Sequence, residues 1–403
     1  MASASPLPVA APGRMRLVAL PPLTLYLHVP WCLRKCPYCD FNSHEAKGEV
    51  PEARYVDAVV ADLEASVPRV WGRRVQAIFI GGGTPSLFSA RAIDRLLTAA
   101  RTLLPVEPDA EITLEANPGT FEQAKFRDFA AAGVNRLSVG IQSFDDKCLA
   151  AIGRVHDAGE AKRAVDIALG TFSNVNLDLM YALPGQEVAD AAADIRTAIA
   201  FGPAHVSAYH LTLEPNTLFH RHPPPLPDDD VAATMQEGIE AELAAAGYEN
   251  YETSAFAKPG RRSRHNLNYW RFGDYLGVGA GAHGKLSAPE RVVRELRFKQ
   301  PRAYQDNALA GNAIQESREV AAADLPFEFV MNALRLAEGF PVALFAERTG
   351  LPLSVIAEPL ARAEAAGLLE RDAFAVRPTL RGRRFLNDLL GLFLPEAKSP
   401  RKV

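Results

Sequence analysis

The chain has 403 residues, of which 48% are hydrophobic, so it can fill a sizeable core and form one large catalytic-type domain plus a smaller appendage. Its formal net charge of −4 provides no general basic surface, which argues against nucleic acid as the main partner. A charged small molecule or a protein fits this composition better.

The N-terminal region predicts neither a membrane span nor an export signal. Its most apolar stretch is interrupted by Pro21, Pro22 and Pro30, far short of the roughly 20 apolar residues that a span requires. We expect a soluble, cytoplasmic protein in which residues 1–22 form a flexible leader. Four cysteines, three of them within eight positions, do not make a disulfide framework and indicate a reducing compartment.

Residues 23–222 alternate between strand and helix patterns. Six apolar or β-branched runs predict strands at Leu23–Val29, Gln76–Ile80, Glu111–Glu115, Arg136–Ile141, Asn174–Met180 and His205–Leu211. Helices are predicted between them at Glu52–Ser66, Ala90–Leu103, Phe121–Ala131, Ala158–Leu169 and Val188–Ala200. This alternation indicates an α/β fold with a parallel sheet, and six units predict an open (β/α)6 partial TIM-type barrel.

The remaining chain divides into two parts. Residues 223–324 begin with the Pro-rich run Pro223–Pro227, which predicts an exposed connector, and continue into a Tyr- and Asn-rich stretch. Residues 325–403 show short amphipathic helices around a brief extended piece at Phe374–Pro378, which resembles a mainly helical winged-helix module. Because no basic face is concentrated there, protein contact is favoured over DNA binding.

Three cysteines follow the first predicted strand in the run C-L-R-K-C-P-Y-C, where a parallel barrel presents its active residues. Cys32, Cys36 and Cys39 can ligate three corners of a [4Fe-4S] cluster and leave the fourth iron for a chelating ligand. Zinc with a fourth ligand from His28 or His44 is one alternative, although paired Cys-x-x-Cys knuckles are absent. Three unligated core cysteines are the other alternative.

This cysteine spacing, with the aromatic Tyr38 just before the third cysteine, resembles the signature of the radical SAM superfamily. The resemblance implies that the amino and carboxylate groups of S-adenosylmethionine (SAM) bind the open iron. It also implies that the reduced cluster can cleave SAM to a 5′-deoxyadenosyl radical.

A glycine loop, Gly81-Gly82-Gly83-Thr84-Pro85, follows the second predicted strand. Glycines lack a Cβ and let the backbone approach a ligand closely, although a plain tight turn is the alternative. The loop has neither the Lys of a phosphate loop nor the G-x-G-x-x-G spacing, so dinucleotide binding is only weakly supported. Beside the cysteine motif it resembles the SAM-binding loop of the superfamily, with Gly82, Gly83 and Thr84 as cofactor-binding residues.

Polar residues stand at or near the ends of successive strands, namely Glu115, Gln142, Arg154 and Asp178. Carboxylates and amides can hold the ribose hydroxyls or the ammonium of SAM, and Arg154 can pair with its carboxylate. Each residue alone is also explained as a structural hydrogen bonder. All four match SAM-binding positions of the coproporphyrinogen dehydrogenase and haem chaperone group, and Tyr26 matches a residue that would face the cluster or a propionate.

Resemblance to this group extends from about Leu23 to the C-terminal module. Its coproporphyrinogen dehydrogenases carry a further cysteine where this chain has Phe41, and they have a longer N-terminal segment. The run His265–Trp270 matches the H-N-x-x-Y-W pattern of the HemW haem chaperones instead. Histidine is a suitable haem ligand and Tyr and Trp supply flat apolar surface, although the run is also typical of a turn with core aromatics.

The resemblance implies a haem chaperone that holds a [4Fe-4S] cluster and SAM, binds haem as cargo with His265, and delivers it to acceptors such as respiratory membrane proteins. It leaves open whether the chain is an enzyme that cleaves SAM and whether a homodimer forms. The alternative is a radical SAM coproporphyrinogen III dehydrogenase, which oxidatively decarboxylates propionates in haem biosynthesis. That chemistry needs the same cluster and SAM.

Overall fold

A computed structural model describes residues 15–119 and 123–394 of the chain. The strands in these ranges are β1 (Leu23–Val29), β2 (Trp31–Cys32), β3 (His44–Glu45), β4 (Val75–Gly82), β5 (Val106–Ala116), β6 (Arg136–Gln142), β7 (Val175–Tyr181), β8 (His205–His210), β9 (Glu249–Glu252), β10 (Ala255–Ala257), β11 (Asp274–Val278), β12 (His283–Ala288), β13 (Arg291–Arg297), β14 (Ile314–Glu319), β15 (Phe340–Pro341), β16 (Leu369–Arg371) and β17 (Ala375–Pro378).

The helices are α1 (Glu52–Ser66), α2 (Ala90–Leu103), α3 (Gln123–Ala132), α4 (Asp146–Ala151), α5 (Ala158–Thr171), α6 (Val188–Phe201), α7 (Leu218–Arg221), α8 (Asp229–Ala245), α9 (Arg264–Trp270), α10 (Pro301–Leu309), α11 (Leu325–Ala333), α12 (Val342–Thr349), α13 (Ala357–Ala365), α14 (Leu380–Arg384) and α15 (Leu386–Gly391). None of the helices in the described ranges combines the length and the apolar character needed to cross a membrane.

The six predicted strands are β1 and β4 to β8, and they lie side by side in that order, all parallel. Helices follow them, and α1 and α2 have the predicted bounds. Residues 121 and 122 of the predicted helix Phe121–Ala131 lie outside the described residues. The sheet does not close, because β8 pairs with β10 at one end and β1 pairs with β11 at the other. The predicted open α/β arrangement is therefore confirmed.

The sheet is wider than the sequence predicted, with twelve strands in the order β14-β13-β12-β11-β1-β4-β5-β6-β7-β8-β10-β9. Strand β11 is a seventh parallel strand, and β12 to β14 continue from it in antiparallel fashion. Residues 249–319 therefore extend both edges, and one hydrophobic core includes side chains from Leu23 through to Ala313. The domain limits at residues 222 and 324 stay predictions.

Local sequence explains where the barrel elements begin. Strand β1 is buried at every position except the partly exposed Tyr26, as expected for a parallel strand covered on both faces. Helix α2 begins at the cap Ser89, whose hydroxyl accepts the N–H of Ala92, and α5 begins with a capping box of Asp157 and Glu160. Such caps each stabilise a helix start by about 1 kcal/mol.

The C-terminal module combines α11 to α15 with a three-stranded sheet of order β15-β17-β16, in agreement with the predicted mainly helical module. It has its own hydrophobic core, which includes Phe329, Phe340 and Phe345. Met15 and Leu17 are buried in the same core. Residues 1–14 of the predicted leader lie outside the described residues, whereas its residues 15 and 17 are packed.

Candidate functional site

Two adjoining cavities open at the carboxyl ends of the parallel strands. The cysteine cavity, of about 360 Å³, is lined by the three cysteines of the loop together with Tyr38, Gly82, Gly83, Thr84, Glu115, Gln142, Arg154 and Asp178. The histidine cavity, of about 500 Å³, is lined by residues that include Tyr26, His28, His265, Tyr269, Tyr275 and His283. Asp40, Phe41, Gly82 and Glu115 line both cavities and form their common wall.

The cysteine loop is held in place by the protein itself. Strands β2 and β3 pair at its two ends, and Lys35 Nζ donates to the carbonyl oxygens of Phe41 at 3.2 Å and Ser43 at 3.1 Å. All three thiols of the loop are free and face one cavity, whereas the free thiol of Cys148 is buried on α4 outside it.

The three thiols of the cysteine loop are partly buried, and one of them accepts a hydrogen bond from Arg154. Burial raises the pKa of Cys32 and of Cys39, and Arg154 Nη1 donates to the Sγ of Cys36 at 3.5 Å. No group of three or more His, Cys, Asp or Glu side chains within residues 15–119 and 123–394 is arranged to hold a single metal ion. A cubane offers separate iron atoms at its corners, so three thiols can bind it without converging on one point.

The glycines of the glycine loop serve close packing between protein segments. The N–H groups of Gly83 and Thr84 donate to the carbonyls of Val29 and Trp31, both at 2.7 Å. A Cβ on Gly83 would lie 2.5 Å from the carbonyl oxygen of Trp31, and a Cβ on Gly82, whose φ is +118°, would lie 2.6 Å from the ring of His28. The glycine loop thus lines the cavity and also holds the end of β4 against the start of the cysteine loop.

Two acids line the cysteine cavity. Glu115, at the end of β5, accepts the N–H of Gly82 at 3.0 Å, and burial with the nearby Asp178 charge raises the pKa of Glu115 to about 8. Asp178 on β7 accepts from the Ser138 hydroxyl at 2.8 Å and the Asn176 amide at 2.9 Å, and burial raises its pKa. A cationic ligand would relieve the cost of burying these carboxyl groups.

Arg154 and Gln142 complete the polar wall. Arg154 Nη2 donates to Asn117 Oδ1 at 2.8 Å and to the Gly140 carbonyl at 2.7 Å, while its buried Nε has no hydrogen-bond partner within the described residues. Gln142 ends β6 at a register shift, with a left-handed φ of +69°. Both side chains therefore reach the cavity from fixed backbone positions.

The H-N-x-x-Y-W run forms α9, capped by Ser263, and places His265 and Tyr269 four residues apart on one helix face, towards the histidine cavity. Asn268 lies on another face and donates to the Asp274 carbonyl at 2.8 Å. The alternative of a turn is therefore wrong for this run, which is helical. Its His and first aromatic residue line a cavity.

His265 is buried, and its ring makes no hydrogen bond to any other described residue. Its ring lies 5.0 Å from that of Phe79 and 6.2 Å from that of Tyr26, and its Nδ1 has no hydrogen-bond partner among the described residues. Burial, with a contribution from Arg136, lowers the pKa of His265 to about 4. The imidazole is therefore neutral near pH 7 and keeps a nitrogen lone pair for a ligand.

Both ring nitrogens of His28, in contrast, form hydrogen bonds. Its Nε2 lies 2.9 Å from the carbonyl oxygen of Asn42, which can only accept, so this nitrogen carries the hydrogen. Its Nδ1 therefore accepts from the Tyr26 hydroxyl at 3.0 Å. The sequence offered His28 as a ligand in the zinc alternative, and the structure shows a buried link between β1 and the cysteine loop.

Sequence reasoning missed the wall formed by β11 and β12. Tyr275 on β11 lies with its ring 4.9 Å from that of Tyr269, and His283 is the first residue of β12. The Gly-rich run before His283 predicts a close-packed turn near the substrate side, but His283 itself was not among the predicted site residues. The pairing of β11 with β1, which is far away in the sequence, could not be predicted from local patterns.

Comparison with known proteins agrees with this geometry. Residues 26–198 match the family model of the Radical SAM superfamily, and residues 320–385 match that of the HemN C-terminal domain. The heme chaperone HemW of Escherichia coli strain K12 is 51% identical over 382 residues, which cover 94% of this chain and 100% of that protein. The heme chaperone HemW of Haemophilus influenzae is 47% identical and covers 94% and 99%.

The solved structure of the coproporphyrinogen III oxidase HemN from Escherichia coli, described as a radical SAM enzyme, matches with a TM-score of 0.79 at 23% identity, over 93% of this chain and 90% of that one. At this identity the match shows the shared fold. The identity to the chaperones, which extends over nearly the full length of the chain, shows the family. The chain belongs to the HemW heme chaperone family and contains a radical SAM domain.

Proposed function

We propose that this chain is a haem chaperone, which binds haem in the histidine cavity and delivers it to haem-requiring proteins. The observation that carries the proposal is a neutral His265 that lines a cavity with aromatic walls and whose ring makes no hydrogen bond within residues 15–119 and 123–394. Family membership supports the same function. Respiratory membrane proteins as acceptors, and a cytoplasmic location, are part of the proposal, and the four free thiols support a reducing compartment.

In this proposal Cys32, Cys36 and Cys39 hold a [4Fe-4S] cluster in the cysteine cavity. Three thiols on one loop suit three corners of a cubane, and membership in the radical SAM superfamily implies this cofactor. When bound, such a cluster supplies an electron for the reductive cleavage of SAM. Tyr38 packs against Phe219, with ring centroids 6.4 Å apart, and covers the loop on one side.

The polar wall of the cysteine cavity is proposed to hold SAM. The sulfonium and ammonium groups of SAM are cationic. They would supply a counter-charge to the buried carboxyl groups of Glu115 and Asp178. Arg154 lines the same cavity, and its guanidinium is suited to the carboxylate of SAM. Gln142 and Thr84 line the same cavity and offer polar atoms to the nucleoside.

Haem is proposed to lie against Tyr26, Tyr269 and Tyr275, with the imidazole of His265 ligating its iron. The rings supply flat surface for the porphyrin. The phenol of Tyr26 stands at the side of this cavity near Glu115, where it would face a propionate or the cluster.

One experiment separates the chaperone from the dehydrogenase. The protein is reconstituted anaerobically, loaded with haem and mixed with apomyoglobin, while a parallel sample receives coproporphyrinogen III, SAM and a reductant. We expect haem transfer to apomyoglobin without vinyl product, and at least about tenfold weaker haem loading for His265→Ala.

The matched control is Cys148→Ala, which removes the one cysteine outside the loop and should leave cluster and haem loading intact. Robust decarboxylation by the wild-type protein would overturn the proposal in favour of the dehydrogenase. Failure to bind haem would overturn it outright.

A further inference from the structure

Three of the described residues that line the histidine cavity are histidines, namely His28, His265 and His283. Haem iron has an axial position on each face of the porphyrin, and the proposed function uses only His265. The structure therefore raises the question of which group serves the second face.

His28 is excluded because both of its ring nitrogens are used. Its Nε2 donates to Asn42 and its Nδ1 accepts from Tyr26, so no lone pair is left for iron. The phenols of Tyr26 and Tyr275 are also poor candidates. Burial raises the pKa of Tyr26 and of Tyr275, which keeps them neutral, and the Tyr275 oxygen already accepts from Arg294 Nη1 at 2.7 Å.

His283 has the properties that the others lack. It is exposed at the start of β12 and lines the histidine cavity, and among the described residues no side-chain hydrogen bond occupies its ring. Burial of part of the ring, together with the cations Lys299 and Arg294, lowers its pKa, so the imidazole is neutral near pH 7. A neutral imidazole is a good iron ligand.

The backbone that carries His283 is fixed by glycines. A Cβ on Gly277 would lie 1.9 Å from the carbonyl oxygen of His283, and a Cβ on Gly281 would lie 2.2 Å from Asn42 Nδ2. Asn42 in turn donates to the carbonyl of Ala280 at 2.9 Å. These contacts hold the Gly-rich turn against the cysteine loop. The imidazole of His283 has no side-chain hydrogen bond among the described residues and lines the histidine cavity.

We infer that His283 is the second axial ligand, so that haem is held between two histidines, one buried and one exposed. This inference rests on the proposed function. The buried His265 anchors the iron, while the exposed His283 is the ligand that an acceptor protein can displace first. Two imidazoles also occupy both faces of the iron and keep other small ligands away from it during transfer.

The test uses the full chain with its cluster reconstituted, loaded with ferric haem and examined by visible absorption and electron paramagnetic resonance. The wild type should show six-coordinate low-spin iron, and His283→Ala should show five-coordinate high-spin iron with haem affinity reduced by about tenfold. Added imidazole should restore the low-spin signal of His283→Ala. The matched control is His220→Ala, an exposed histidine on α7 outside the cavity, which should keep the wild-type spectrum.

Two failures can be told apart. If haem binds but the wild type is high-spin, or His283→Ala stays low-spin, the second ligand is not His283 while the chaperone proposal stands. If the wild type binds no haem, the proposed function and this inference are both overturned. His283→Gln provides a second variant that keeps a polar side chain and should also become high-spin.

Discussion

Glu115 shows how a single residue can prepare a site for a cation. Its carboxyl group is buried next to Asp178 and forms no ion pair within the described residues, so its pKa rises from about 4.5 to about 8. Ionisation of this carboxyl group is costly in the empty cavity and becomes favourable once a cationic ligand binds. The sequence could place Glu115 at a strand end, but its burial and its acidic neighbour are properties of the folded sheet.

The pH dependence of stability should reveal this residue. Because the folded-state pKa of Glu115 lies above its unfolded value, folding favours the protonated form, and stability falls as pH rises from about 4.5 to about 8. Glu115→Gln removes that loss, which is on the order of a few kcal/mol. Urea denaturation of the cluster-free protein at pH 5 and pH 8 measures it. An unchanged pH slope in Glu115→Gln, relative to the exposed control Glu290→Gln, would contradict the assignment.

Gly82 lies where both cavities meet, and its substitution should affect both ligands. With φ at +118° and the ring of His28 at 2.6 Å from a Cβ, Gly82→Ala combines backbone strain of about 1–3 kcal/mol with a displaced His28. We expect weaker binding of SAM and of haem, measured by calorimetry. The control is Gly260→Ala, which also has a positive φ but no atom within 4 Å of its Cβ. Equal ligand affinities in the two variants would show that the contact with His28 is unimportant.

At the scale of the elements, the six barrel strands were predictable because each is a mostly buried run of apolar or β-branched residues and is followed by a helix. Strand β11 was not, because it is short, lies in a Gly-rich stretch and pairs with β1 some 250 residues earlier, as in Leu23 with Asp274. The cysteine cavity is lined by residues at the ends of the predicted strands. The histidine cavity depends on β11 and β12, which is why His265 was found from a motif while Tyr275 and His283 were missed.

An ion pair connects the histidine cavity with the C-terminal module. Arg294 on β13 donates to Glu328 on α11 at 2.7 Å and to the Tyr275 hydroxyl at 2.7 Å. Glu328→Gln should lower the free energy of unfolding by about 2 kcal/mol, since it leaves the largely buried guanidinium without its counter-charge.

The matched control for this pair is Asp306→Asn, which breaks the exposed pair of Arg54 and Asp306 and should cost less than about 1 kcal/mol. Guanidinium denaturation measures both variants. Equal losses would mean that the Arg294–Glu328 pair does not stabilise the docking of the module.

At the scale of the whole molecule, the two cavities adjoin without coinciding, because they share only the wall that contains Asp40, Phe41, Gly82 and Glu115. SAM and haem should therefore bind at the same time, one of each per chain. Gel filtration of the reconstituted protein with both ligands, followed by quantification of each, measures this. Displacement of SAM by stoichiometric haem would show that the two sites overlap.

The central claim is that one haem binds in the histidine cavity through His265. Its most direct test is a haem titration of the anaerobically reconstituted protein, followed by absorption, for the wild type, His265→Ala and the control His220→Ala. The account predicts one haem per chain for the wild type and the control, and an affinity at least about tenfold lower for His265→Ala. Equal affinity in all three proteins would contradict it.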